Sequence, residues 1–141
     1  MQTRNDVTTA TSFNALTGAA TQVEQEAGSS TTTAVTPGRQ QYHPSACKAW
    51  AQIIYSGGVP TSTIKYNVTS LTDSATGDGI ANLTVAFSSA NFGTLGSNNT
   101  TAAAAGVYTK STGASTLRWV TNNLLSAATD YDITIAAFGD Q

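Results

Sequence analysis

From Cys47 to Tyr55 the chain reads Cys-Lys-Ala-Trp-Ala-Gln-Ile-Ile-Tyr, with its apolar side chains spread over both alternations. Cys47, Ala49, Ala51, Ile53 and Tyr55 share one parity, and Lys48, Trp50, Gln52 and Ile54 share the other. A period of two sends successive side chains to opposite faces of a β-strand. Because both parities carry apolar groups, this strand is expected to be covered on both sides. Gly57-Gly58-Val59-Pro60 then breaks it. Ile64, Tyr66 and Val68 alternate with Lys65, Asn67 and Thr69 as a half-buried strand. Asp73–Gly79 reads as a turn-rich connection, and Leu83, Val85 and Phe87 as the inward face of the next strand, so the pair predicts a β-hairpin. A short strand is expected over Phe92–Leu95 and a polar loop over Gly96–Thr101. Ala102–Lys110 reads as a strand, since the run is too short and uncharged for an exposed helix. Leu117–Val120 is another strand, with Arg118 and Trp119 on opposite faces, and Tyr131, Ile133, Ile135 and Ala137 mark the last. About six or seven short strands between turns predict an antiparallel β-sandwich over residues 45–141.

Residues 1–44 have a different character. Large apolar residues are few there, namely Val7, Phe13, Leu16, Val23 and Val35. Ala19–Ala27 is the good helical window, with Thr17 placed to cap its start and Gly28 its end. A helix this short needs a surface to form against. The polar run Ser29–Ala34 then reads as extended, with Pro37-Gly38 as punctuation. A segment so poor in large side chains is expected to dock on something else.

Composition narrows the function. Thr occurs 25 times and Ala 22 times, while charged residues make up 10 % against a usual level of about 25 %. Thr is β-branched and favours strands, and several ordinary helices would need more charge on their outer faces. A net charge of −2 opposes nucleic-acid binding, which requires Lys and Arg against phosphate. No apolar stretch is long enough for a membrane helix, and Met1–Thr11 lacks the basic-then-apolar order of a signal peptide. A polar but weakly charged surface suits a chain packed against copies of itself.

Candidate chemistry is sparse. Cys47 is the single cysteine, and its alternation with Ala49 predicts a buried, inert thiol. His43 is the single histidine, placed in the linker entering the β unit, where a turn or subunit contact is expected. No nucleophile elbow, phosphate-binding loop or metal-ligand pair surrounds these residues, so no catalytic residue, metal or cofactor is expected. Asp73, Asp78, Asp130 and Asp132 occupy turn-like positions that favour local backbone hydrogen bonds over paired-carboxylate chemistry. Among the aromatics, Tyr55, Tyr108 and Trp119 are the candidates for stacking on a sugar ring, with core packing the competing role, above all for Trp119. Val23, Val35, His43, Lys48 and Trp50 are the candidates for an oligomer interface.

Three stretches carry a family resemblance. Ala20–Gly28 followed by Thr33–Gln41, His43–Trp50 with Lys65–Asp73 and Gly77–Gly79, and the terminal Ala136–Gln141 resemble a module of tail-fibre and other virion appendage proteins of tailed bacteriophages. The resemblance runs from about residue 19 to the end and is densest over 20–87. It implies a homotrimer located in the virion. Residues 1–18 would bind other virion proteins, 19–44 would aid trimerisation, and 45–141 would form an outward knob in reach of host-surface glycans. The long fibre shaft of the family is missing from this sequence. A short tail fibre is therefore expected, with a capsid decoration, head-fibre or baseplate protein as the alternative and a carbohydrate-binding module as a third reading.

Overall fold

The computed structural model describes residues 18–30, 32–37, 39–43, 45–99, 106–123, 125 and 127–141. The chain divides into two units, Met1–Ala46 and Cys47–Gln141.

In the first unit, Thr21 and Glu24 set the start of helix α1 (Gln22–Ala27). The Thr21 hydroxyl accepts from the Glu24 N–H at 3.3 Å, and the Glu24 carboxylate accepts from the Thr21 N–H at 2.8 Å. This reciprocal capping box satisfies two of the donors that a helix start leaves over. The helix closes at Gly28, whose N–H donates to the Glu24 carbonyl at 3.0 Å. It is shorter than the Ala19–Ala27 window, and Thr21 is its cap; Thr17 lies outside the described residues. The reason is competition for backbone groups. Ala19 forms a parallel bridge with Ala34, through Ala20 N–H to Ala34 O at 2.9 Å and Ala34 N–H to Gly18 O at 3.3 Å. A 3-10 turn over Gln40–Tyr42 follows, and the Arg39 guanidinium donates to the Ala20 carbonyl at 3.2 Å.

The second unit is a sandwich of two antiparallel sheets. Its nine strands among the described residues are β1 (Cys47–Ser56), β2 (Val59–Thr61), β3 (Lys65–Tyr66), β4 (Val68–Ala75), β5 (Asp78–Leu83), β6 (Gly93–Asn98), β7 (Gly106–Gly113), β8 (Thr116–Asn122) and β9 (Ile133–Phe138). Sheet I runs β2-β1-β9-β6, with β3 also paired to β1, and sheet II runs β4-β5-β8-β7. Strand type was legible in the sequence, but the strand list differs. The expected loop after Leu95 is the second half of β6, and the expected turn at Asp73–Gly79 shrinks to Thr76-Gly77 between longer strands. Most of Ala102–Gly106 lies outside the described residues, and β7 extends to Gly113.

The core follows from the alternation. Ala49, Ala51 and Ile53 of β1 face inward beside Ala137, Ile135 and Ile133 of β9. Ala81 and Leu83 of β5 and Leu117 and Trp119 of β8 close it from sheet II. Trp119 is 0 % exposed, and its ring lies across Gly79, where a Cβ would come within 2.2 Å of ring carbon Cζ2. A glycine on β5 thus makes room for the largest side chain of the core. Phe87 and Phe92 stack beside it with centroids 4.0 Å apart.

Two local features overturn sequence expectations. The register slips between Cys47 and Ala49, which pair with the adjacent residues Phe138 and Ala137. This bulge leaves Cys47 exposed instead of buried and takes Lys48 to 2 % exposure. Asn67 adopts φ 55°, a left-handed conformation that Asn tolerates better than most residues. It ends β3 in sheet I and starts β4 in sheet II, so Ile64 and Tyr66 are exposed while Val68 is buried. The Asn67 amide accepts from the Val85 N–H at 2.7 Å and donates to the Val85 and Lys48 carbonyls at 3.1 and 3.0 Å. Val85 is held at the surface by these bonds, outside the core expected for it.

Candidate functional site

The two outer faces of the sandwich have opposite chemistry, and strand register explains why. Trp50 lies opposite Tyr66 on one side and Ala136 on the other, and Ala136 lies opposite Leu95. An aromatic and aliphatic row therefore crosses sheet I from β3 to β6. The next row joins Gln52, Thr134 and Ser97, and the one beyond pairs Ile54 with Thr61. Leu95 is 62 % exposed, and Tyr66, Ile64 and Ile54 are exposed beside it. None of the residues in these three rows is charged. The expectation that β1 is covered on both faces is met in full only on the inner one: on the outer face Trp50 and Gln52 are half-buried and Ile54 is exposed.

Sheet II turns polar groups outward. Tyr108, Val120 and Asp78 form one row, and Lys110, Arg118, Ile80 and Thr72 the next. The Arg118 guanidinium holds the Asp78 carboxylate through two nitrogens, with Nε at 2.8 Å from Oδ1. That bond from Arg118 keeps the Asp78 carboxyl below the usual range for aspartate and raises the Arg118 guanidinium. Asn82 donates to the Ser70 and Thr72 hydroxyls, each at 3.1 Å, and Thr112 donates to Thr116 at 3.0 Å. This face is well hydrated. Tyr108 stands on it 64 % exposed.

The three stacking candidates thus separate. Only Tyr108 offers a ring to solvent. Trp119 is enclosed, and its indole N–H donates to the Tyr55 hydroxyl at 3.0 Å across the two sheets. Burial pushes the Tyr55 phenol above the ordinary tyrosine value, and the bond from Trp119 partly offsets it. Trp119 is a core residue, and the Tyr55 hydroxyl serves as its acceptor.

Of the four aspartates expected to bond the backbone, Asp130 and Asp132 do so, whereas Asp78 is taken by Arg118. Asp132 accepts from the Tyr55 N–H at 2.9 Å, and Asp130 accepts from the Gly77 N–H at 2.6 Å. Among the described residues no group of three or more His, Cys, Asp or Glu is arranged to hold a metal ion. No helix among them is long and apolar enough to cross a membrane.

In the first unit, Val23 and Val35 are exposed. The His43 Nδ1 atom accepts from the Ser45 N–H at 3.2 Å and lies 2.6 Å from the Ser45 hydroxyl, which closes a local turn. Both residues line a recess of about 310 Å³ with Gln25, Val35, Gln40 and Ala46. Gln25 is 4 % exposed, and among the described residues neither its amide nitrogen nor its oxygen has a partner. Sequence reasoning singled out Val35 and His43 but missed Gln25 and Leu95. The parity of Leu95 was hidden because the strand reads as ending there, with Gly96–Thr101 as loop, and nothing in the sequence marks Gln25 among the six other glutamines.

Comparison with family models, with curated proteins and with solved structures found no match to this chain.

Proposed function

We propose that this chain is a non-catalytic structural subunit of a bacteriophage virion, a trimeric short tail fibre or similar appendage assembled in the host cytoplasm. The observation that carries the assembly part is the uncharged row Tyr66–Trp50–Ala136–Leu95 across the outer face of sheet I, set against a solvated sheet II. Contiguous exposed apolar surface marks an interaction site. The virion part is supported by the resemblance of 20–87 and 136–141 to phage appendage modules. Within the single chain Lys48 is enclosed, which leaves Trp50, with Val23, Val35 and His43, as the interface residues of this reading.

Sedimentation equilibrium of the full chain tests assembly, and electron micrographs of labelled particles test location. A trimer in solution and label at the tail tip are expected. A chain that stays monomeric at every concentration overturns the assembly reading, and label on the capsid replaces the tail fibre with a decoration protein.

A host-contact role has its own support. Tyr108 beside Lys110 and the Arg118–Asp78 pair offers an aromatic ring among hydrogen-bonding groups on a hydrated sheet. Binding to host cells that disappears in Tyr108→Ala supports glycan contact at this face; unchanged binding removes it.

A further inference from the structure

The recess in the first unit combines two unmet hydrogen-bonding features. The Gln25 amide is buried, and neither its nitrogen nor its oxygen has a hydrogen-bond partner among the described residues. Buried polar groups in native chains are nearly always paired, and an orphan is costly. The second feature is a strand edge. Ala34 directs both main-chain groups to the Gly18–Ala20 stretch, at 2.9 and 3.3 Å. In extended backbone the neighbouring residues direct theirs the other way, as at any open sheet edge. Val35 therefore presents its N–H and C=O on the far side, and no described residue pairs with them. Val35 is exposed and lines the same recess as Gln25.

We propose that this recess receives an extended, uncharged peptide segment of a second copy of the chain, paired along the Val35 backbone and bound by the Gln25 amide. A primary amide offers one acceptor and two donors at its tip, which is the complement of a peptide unit. Addition of a strand to an open edge, with side chains settling into adjacent recesses, is a recurrent mode of peptide recognition. The recess walls favour such an occupant. Among the described residues the recess lining, Gln25, Val35, Gln40, His43, Ser45 and Ala46, includes no carboxylate and no permanent cation to match a charged ligand. The chain itself supplies suitable segments: Ser29–Thr36 is uncharged and built of small residues, which allow close backbone approach. Because the amide is buried, the pairing includes a rotation of the Gln25 side chain toward the recess it lines when the occupant arrives. The pairing rests on the self-assembly reading and names the contact through which the N-terminal unit contributes to it.

Gln25→Met in the full chain removes the amide while keeping length and volume. Sedimentation equilibrium is expected to show the Kd of self-association rising about tenfold or more, the effect of losing one or two hydrogen bonds. The unfolding midpoint of the dissociated chain stays unchanged or rises, because an orphaned amide has gone. Hydrogen exchange on the wild type gives a readout independent of any variant: the Val35 amide gains protection when the chain associates. If the wild type assembles while Gln25→Met assembles equally well, or Val35 exchanges freely in the assembly, the recess pairing is overturned and assembly through sheet I stands. A wild type that remains monomeric overturns both.

Discussion

Tyr55 and Trp119 show how one hydrogen bond ties aromatic identity to position. The Trp119 side chain is fully buried, so its N–H needs the Tyr55 hydroxyl 3.0 Å away. Tyr55→Phe keeps the ring and orphans that donor, and urea unfolding at neutral pH is expected to show a loss of about 1–3 kcal/mol. The same bond has a pH signature. Burial raises the Tyr55 phenol above its unfolded value, so the folded state holds the proton longer than the unfolded one. Stability is therefore intact below about pH 10, the unfolded value, and falls as pH rises through the folded value. Tyr55→Phe should flatten that alkaline decline; a variant whose stability still falls as steeply there assigns the decline to another group. Asp78 behaves in the opposite sense. Its bond from Arg118 depresses the carboxyl, so the contribution of the pair is present above about pH 4, the ordinary aspartate value, and disappears as pH falls through the folded value. Both partners retain solvent contact, so Asp78→Asn should cost no more than about 1 kcal/mol at neutral pH and progressively less as pH falls through the folded value. A cost that persists in acid would show that the charge is not what Asp78 contributes.

At the level of elements, the sandwich depends on where the chain changes sheets and how closely neighbouring strands pack. Gly79 on β5 illustrates the second constraint: an added Cβ would meet Trp119 Cζ2 at 2.2 Å and Cε2 at 2.7 Å. The ring is fully enclosed and has nowhere to withdraw, so Gly79→Ala is expected to destabilise by about 3 kcal/mol through overpacking, measured as a shift in urea midpoint at constant slope. A neutral result would mean that the ring relocates without cost. This glycine reads as a turn residue in the sequence, because its closeness to Trp119 is set by tertiary packing. Alternation identified β1, β8 and β9 because their inward residues are apolar and regularly spaced. It failed where the backbone departs from a plain strand. A left-handed Asn67 moved Tyr66 and Val68 onto different sheets although their parity is the same. A bulge after Cys47 exposed the thiol that simple alternation buries. In β6 the glycines that look like loop punctuation serve a tight sheet edge, where Gly96 packs against Val107 and Thr109 of β7. Of the candidate site, the apolar residues on both parities of β1 were legible, whereas nothing in the sequence told the exposed ring of Tyr108 from the half-buried one of Tyr55. The row through Leu95 depends on the register of β6 against β9, which no local pattern encodes.

For the molecule as a whole, the difference between its two outer faces makes a prediction that stability measurements alone would miss. Charged residues are only 10 % of the chain, yet Lys110, Arg118 and Asp78 all stand on sheet II, while the rows through Trp50, Gln52 and Ile54 on sheet I contain none. An uncharged face offers no repulsion between copies and has apolar area to remove from water, at about 25 cal/mol per Å². A single carboxylate introduced there would have to be desolvated whenever two copies met, a cost of several kcal/mol without a partner. Leu95→Asp is the sharpest form of the test, because Leu95 is 62 % exposed and contributes little to the core of its own chain. The expected outcome is loss of self-association in sedimentation equilibrium, with the unfolding midpoint of the chain changed by no more than about 0.5 kcal/mol, as for ordinary surface substitutions. Lys110→Asp on sheet II is the matched control: it alters charge by two units on an already hydrated face and should leave association intact. Equal loss of association in both variants would locate the effect in net charge rather than in the sheet I face. Intact association in Leu95→Asp would show that this face is not where copies meet, and would leave the strand edge at Val35 as the remaining contact between them.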